Sequence, residues 1–178
     1  MKLDNFKQLH PYLFCRESAK VVDYDYYSFF PKDYISLIQS YQGMIAFENG
    51  AVFRIKSKIP VITKGYITID YLYGDSKDEN GLNYNIFDTF DIMPDDNFLT
   101  FGECFGGNKV CVHKNTGNVY FFWHEEPSDD ECYYYLTSSI DIFIESLEPD
   151  PEEGNTQGLS DVTVSQSLLE LIKNSKYK

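Results

Sequence analysis

Basic residues are scarce in this chain. Against 28 Asp and Glu stand 15 Lys and Arg, a formal charge of −13 over 178 residues. A nucleic-acid binder neutralises phosphates with a basic footprint, and the sign here is the opposite. An anionic membrane surface is disfavoured by the same field. Long apolar runs are missing too. They reach about five residues, as in Val119-Tyr120-Phe121-Phe122-Trp123, where a spanning helix needs about 20. The first residues, "MKLDNFKQLHPYLF", carry an early acid and no extended apolar region, unlike a secretory signal, so a cytoplasmic protein is expected. Cysteines are few and unclustered. Cys15, Cys104, Cys111 and Cys132 form no CxxC pair and read as reduced thiols acting as small buried hydrophobes. No internal repeat is visible.

What the chain has in abundance is aromatic side chains, 17% of the residues, with 15 Tyr and 14 Phe. Flat rings pack well on a pleated surface, which favours strands. The clearest helix lies in "FFPKDYISLIQSYQG". Pro31 suits a helix start, Asp33 complements the dipole in the first turn, and Tyr34, Ile35, Ile38 and Tyr41 fall on one face. Gly43 is expected to take a left-handed cap. Strand patterns follow. Asn49-Gly50 between apolar runs predicts a hairpin, and a second is predicted to turn near Lys64-Gly65. In the second, Ile67, Ile69 and Tyr71 alternate with Thr68, Asp70 and Leu72, as in a half-buried strand. "YNIFDTFDIMP" reads either as a short helix or as an irregular crossing. "NFLTFGEC", "KVCVHK" and "VYFFWHE" read as three strands joined through Phe105-Gly106-Gly107-Asn108 and Asn115-Thr116-Gly117-Asn118, with "CYYYLT" as a further piece. Ser138 or Ser139 is placed to cap a helix through Leu147, striped by Ile140, Phe143, Ile144 and Leu147.

The stretch "EPDPEEGNTQGLSD" breaks this pattern. It has two prolines, five acids counting Glu148 and Asp161, and no aromatic residue. The organisation predicted is one domain over residues 1–148, followed by an acidic flexible linker and a short tail helix over 149–178. The order helix, strands, helix indicates an α+β fold, a mostly antiparallel sheet with N-terminal and C-terminal helices packed on it.

Chemistry is hard to find. A Walker-type loop needs Gly-Lys-Ser/Thr, and here Gly107 is followed by Asn108-Lys109-Val110. Gly102, Gly106 and Gly107 do not have dinucleotide-binding spacing, and a strand follows them rather than a helix. Zinc needs about four converging ligands. Cys111 and His113 share a strand face, with Cys104 across a hairpin and His124 on the next strand, but no pair has helix or knuckle spacing. A zinc- or thiol-dependent hydrolase built on those four residues is the alternative from a different class. Glu125 and Glu126 are adjacent, so on a strand they point to opposite faces and make a poor carboxylate pair. No catalytic residue, cofactor or metal is therefore predicted. Two acidic stretches stand out, Asp75 to Glu79 with Asp78 between them, and the run Glu125, Glu126, Asp129, Asp130, Glu131. The second directly follows the aromatic strand. An aromatic body with an acidic rim suits a protein-binding face, although a solvated loop accounts for either stretch as well.

Taken in order, these pieces resemble the SUKH superfamily, the Smi/Knr-type domain of fungal cell-wall regulators and bacterial immunity proteins. The residues that carry the resemblance are "PKDYISLIQSYQGMIAFENGAVFRI", "MPDDNFLTFGECFGGNKVCVHKNTGNVYFFWHEE" and "SSIDIFIESL". Within them Pro31, Gly43, Pro94, Gly106-Gly107-Asn108, Gly117, Val119, Trp123, His124 and Glu125 match the family pattern, over about Phe30 to Leu147. The segment "AKVVDYDYYSFF" departs from the family's usual amphipathic helix, and the tail after Glu148 is extra. The resemblance implies a non-catalytic protein-binding module whose scaffold is shared and whose surface varies. Bacterial members of this kind bind and neutralise a cognate toxin, often a nuclease. A basic toxin is then the expected partner, met by Asp75, Asp78, Glu79, Glu125, Glu126, Asp129, Asp130 and Glu131. A regulatory scaffold of Smi/Knr type is the alternative within the family.

Overall fold

The computed structural model describes residues 3–15, 27–78, 80–82, 85, 93–126 and 131–152. Helix α1 (Asp4–Gln8) leads into strand β1 (Pro11–Phe14), and a 3-10 turn (Tyr27–Phe29) leads into α2 (Lys32–Ile38). Then come β2 (Met44–Phe47), β3 (Val52–Arg54), β4 (Tyr66–Leu72), β5 (Phe98–Cys104), a 3-10 turn (Phe105–Gly107), β6 (Lys109–His113), β7 (Val119–Phe122) and β8 (Tyr133–Thr137). Helix α3 (Ile140–Glu145) and a two-residue strand β9 (Leu147–Glu148) close the described chain. The strands form one sheet in the order β1-β2-β4-β5-β6-β7-β8, with β3 also on β4 and β9 on β3, and every strand pair is antiparallel. The α+β architecture with helices on the sheet is the one read from the pattern of apolar residues.

Several elements have a local cause. Pro31 sits at the N-cap of α2, and Tyr34, Leu37 and Ile38 are buried. Ser139 caps α3 by accepting the Ile142 N–H at 3.2 Å. The strands β5, β6 and β7 fall where aromatic and β-branched residues run between turn residues. Phe143 of α3 is the centre of the packing. It stacks on Phe53 at 4.9 Å and meets Phe101 edge-on at 5.5 Å, while Tyr34 of α2 meets Phe101 edge-on at 5.7 Å. Leu99, Phe101, Cys104, Val110, Val112, Val119 and Phe121 supply the sheet side of this core. The opposite face carries a second, smaller cluster of Met93, Phe98, Cys111, Phe122 and Cys132, with Tyr120 and Tyr133 against it.

Three expectations are corrected, and one strand was not expected. The Asn49-Gly50 turn exists, with Gly50 at φ 60°, but β2 and β3 are not a hairpin. Both run along the same edge of β4, Ile45 opposite Leu72 and Val52 opposite Thr68, so the turn is a jog within a broken strand. Gly43 is not a left-handed cap. Helix α2 has already ended at Ile38, and what Gly43 supplies is room, since a Cβ there would lie 2.5 Å from Cys15 Sγ. Helix α3 stops at Glu145, because Leu147 is drawn into the core as part of β9, opposite Phe53. Finally, Pro11–Phe14 is a strand that the sequence pattern did not announce. The tail helix expected within 149–178, and most of the ambiguous stretch at 84–94, lie outside the described residues.

Candidate functional site

The four residues of the hydrolase alternative do not converge. Cys104 belongs to the principal core and Cys111 to the cluster on the other face of the sheet. Burial pushes both thiols up, away from the thiolate that nucleophilic or ligand chemistry requires. His113 lies edge-on against Phe98 at 5.0 Å, on the Cys111 side. His124 has a structural role, with its Nδ1 3.1 Å from Asn108 Oδ1 and its backbone N–H bonded to the same oxygen. Among the described residues no three His, Cys, Asp or Glu side chains form a metal-binding group.

The two acidic stretches are carried by opposite ends of the strand ladder. Strand β4 starts beside the Cys104 end of β5 and runs toward Leu72, opposite Gly102; Tyr73 then bonds Phe101 O and leads on to Asp75. Asp75 is half-buried, its N–H bonded to Tyr41 O at 2.8 Å. Burial pulls the Asp78 carboxyl up, but hydrogen bonds from Ser76 Oγ and from the backbone and side chain of Asn80 outweigh that and hold it below its ordinary value. Its charge is engaged within its own turn. Glu125 and Glu126 lie at the other end, past Trp123, where Phe122 is opposite Lys109. Glu125 and Glu131 are exposed and Glu126 is half-buried. Glu79, Asp129 and Asp130 lie outside the described residues.

That second end of the sheet holds the surface feature with the most to offer a partner. A groove of about 440 Å³ opens between the 61–64 loop and the turn after β5. Val61, Ile62, Ile67, Phe105, Phe121 and Trp123 give it apolar surface, and Thr63, Lys64, Thr68, Asn108 and Glu125 give it polar surface. Phe105 is 77% exposed, far above any other large apolar side chain among the described residues. It is held out by a rigid support. Gly106 and Gly107 adopt φ 77° and 81°, a region side-chain-bearing residues avoid. Asn108 then ties the turn together, donating from Nδ2 to Phe105 O at 2.9 Å while its own O accepts from Cys104 N at 2.8 Å. Because Asn108 also holds His124, the turn and the end of β7 are fixed relative to each other. The indole Nε1 of Trp123 is covered and has no hydrogen-bond partner among the described residues.

The sequence matches the SMI1 / KNR4 family (SUKH-1) over residues 27–146. The chain belongs to the SUKH-1 family. It is also similar to the SPbeta prophage-derived uncharacterized protein YokK of Bacillus subtilis (strain 168), at 24% identity over 172 residues, covering 90% of this chain and 89% of that protein. No solved structure matches the chain. In this SUKH-1 domain Gly106, Asn108, Trp123 and Glu125, four of the residues that carried the resemblance, line the groove. The Gly-Gly-Asn turn presents Phe105, the strand after Gly117 delivers Trp123, and His124 locks the two together through Asn108. The groove itself was not foreseen. Its signal was available in one place, a Phe set immediately before two glycines, where a strand has ended and no core remains to bury a ring.

The other face of the SUKH-1 sheet holds a closed polar cluster. Glu103 of β5 accepts hydrogen bonds from the hydroxyls of Tyr71 and Tyr73 and pairs with Lys109, which lies opposite it on β6. The two charged side chains are only 13% (Lys109) and 18% (Glu103) exposed. This arrangement satisfies itself and offers no open position to a substrate.

Proposed function

We propose that this SUKH-1 chain is a non-catalytic protein-binding module, an immunity protein that binds and neutralises a basic cognate toxin such as a nuclease. One observation carries the reading. An aromatic and aliphatic groove, fronted by the exposed Phe105, sits in a strongly acidic body with Glu125 on its rim. Interfaces of high affinity centre on an aromatic anchor surrounded by polar groups, and an acidic field speeds encounter with a basic surface. The shift of both core thiols away from thiolate and the dispersal of Cys104, Cys111, His113 and His124 argue against the hydrolase alternative.

The test starts from the reading frames beside the gene. Each product is purified with this chain, and association is followed at low and at physiological salt. A toxin partner is expected to bind, with Phe105→Ala weakening the complex about 30-fold, the equivalent of ~2 kcal/mol. Charge reversal at Asp129, Asp130 and Glu131 is expected to slow association and flatten its salt dependence. Failure of every neighbouring product to bind, or failure of co-expression to relieve its toxicity, would leave the Smi/Knr-type regulatory scaffold in its place. Full binding by a Phe105→Ala chain would move the interface off the groove.

A further inference from the structure

After β9 the chain runs to the edge of the groove. The Asp150 N–H bonds Asn49 O at 3.0 Å, and the Glu152 carboxylate meets Lys64 Nζ at 2.5 Å. Lys64 is one of the groove's own lining residues. Its hydrogen bond to Glu152 holds that carboxyl below its ordinary value, and the same contact raises the Lys64 ammonium. Twenty-six residues, 153–178, follow from this point. They include one apolar run, Leu168-Leu169-Glu170-Leu171-Ile172, and then three lysines, Lys173, Lys176 and Lys178, with no further acid. At helical spacing Leu168, Leu171 and Ile172 share a face that Glu170 does not. An aliphatic stripe followed by positive charge is complementary to a groove that offers Val61, Ile62, Phe121 and Trp123 together with the carboxylate of Glu125.

We propose that the C-terminal tail docks in this groove in cis, its Leu168–Ile172 stripe seated against Trp123, Phe121 and Val61 and its lysines facing Glu125 and its acidic neighbours. The tail is thus a built-in occupant of the surface centred on Phe105. Reach is not an obstacle, because a random coil as long as the stretch from Glu152 to Leu168 would span about 20 Å on average, and Glu152 lies at the groove's edge. A volume of about 440 Å³ lies within the ~300–1,000 Å³ range of sites that enclose small ligands, which suits a few aliphatic side chains. Such tethers give effective concentrations in the millimolar range, so even a weak intrinsic contact stays occupied. The proposal concerns the chain alone and stands whether or not a toxin uses the same surface.

Trp123 is the only tryptophan of the chain, so its fluorescence reports on the groove without a label. The measurement is acrylamide quenching and emission maximum for the full chain and for a full-length Leu171→Asp, Ile172→Asp double variant. With the tail docked half the time or more, the variant is expected to show about a twofold higher quenching constant and a red-shifted emission. Its melting transition should stay cooperative. A chain ended after Glu152 should match the variant, and a synthetic peptide of residues 160–178 added at millimolar concentration should restore shielding saturably. Equal quenching in the full chain and the full-length double variant overturns the proposal, even if the shortened chain fails to fold. So does equal shielding by a tail of scrambled sequence, because the groove would then not be reading the stripe.

Discussion

Replacing Lys109 by Met tests whether the polar cluster on the far face of the sheet is closed to solvent. Lys109 and Glu103 are paired across β5 and β6, and their side chains retain 13% and 18% of their exposure. Removing one partner of a fully buried pair costs about 3–5 kcal/mol, whereas exposed pairs are worth about 0–1. The residual exposure, together with the hydroxyls of Tyr71 and Tyr73 that remain on Glu103, sets the expectation for Lys109→Met at about 2–4 kcal/mol. For a chain of this size that is a fall in Tm of about 4–16 °C. Urea denaturation gives the free energy and thermal melting the temperature. The companion variant joins Lys109→Met to Glu103→Gln, which keeps an acceptor for the tyrosines and removes the stranded charge. It is expected to recover at least about 1 kcal/mol of the loss. A cost below about 0.5 kcal/mol for the single substitution would show that water screens the pair as on any surface, and the description of a closed cluster would fail.

Three further outcomes follow from the packing. Phe143→Ala removes the ring between Phe53 and Phe101 and should cost about 3–5 kcal/mol by chemical denaturation, against less than about 1 for Ile142→Ala on the exposed side of the same helix. Of the four thiols, Cys15 is exposed and Cys104, Cys111 and Cys132 are buried. A disulfide reagent at pH 8 should therefore titrate one thiol rapidly in the native chain and the others only on unfolding. Burial raises Cys104 and Cys111, so their reaction should remain slow at a pH where an ordinary thiol is largely ionised. Ending the chain after Glu152 should leave cooperative melting within about 3 °C of the full chain, and loss of the transition would place the tail within the core instead.

How far the sequence foretold this depends on how local each cause is. The start of α2 at Pro31, the cap at Ser139 and the run of strands from Phe98 to Phe122 are set by residues next to them, and all were visible. The broken strand β2–β3 was misread because Asn49-Gly50 announces a turn but not the partner on either side of it; β4, several residues further on, takes both. Strand β1 has three exposed residues of four and no alternation to betray it. It is a strand because Met44–Phe47 lies beside it. Strand β9 is two residues long and exists through its contact with β3. At the surface, Glu125 was singled out because it follows an aromatic strand, and the ladder places it on the groove. Asp75 and Asp78 looked equivalent to it in sequence, yet which end of a sheet a loop occupies depends on strand order, which linear charge patterning does not encode.

The pairing of β9 with β3 has a consequence for the order in which the molecule assembles and opens. Strands β5 to β8 pair with one another in sequence order, and the joins β5–β6, β6–β7 and β7–β8 each close a short loop. The contact of β9 with β3 includes the ion pair of Arg54 with Glu148, 94 positions apart in sequence. Closing so long a loop costs about 2 kcal/mol more in chain entropy than closing a hairpin of about ten residues, and this join rests on two residues of strand. It should form late and fray early, with the amides of Leu147 and Glu148 exchanging with solvent long before those of Val110 or Phe121. Since the chain passes from β9 directly to Glu152 at the lip of the groove, opening of this join also loosens the contact of Glu152 with Lys64.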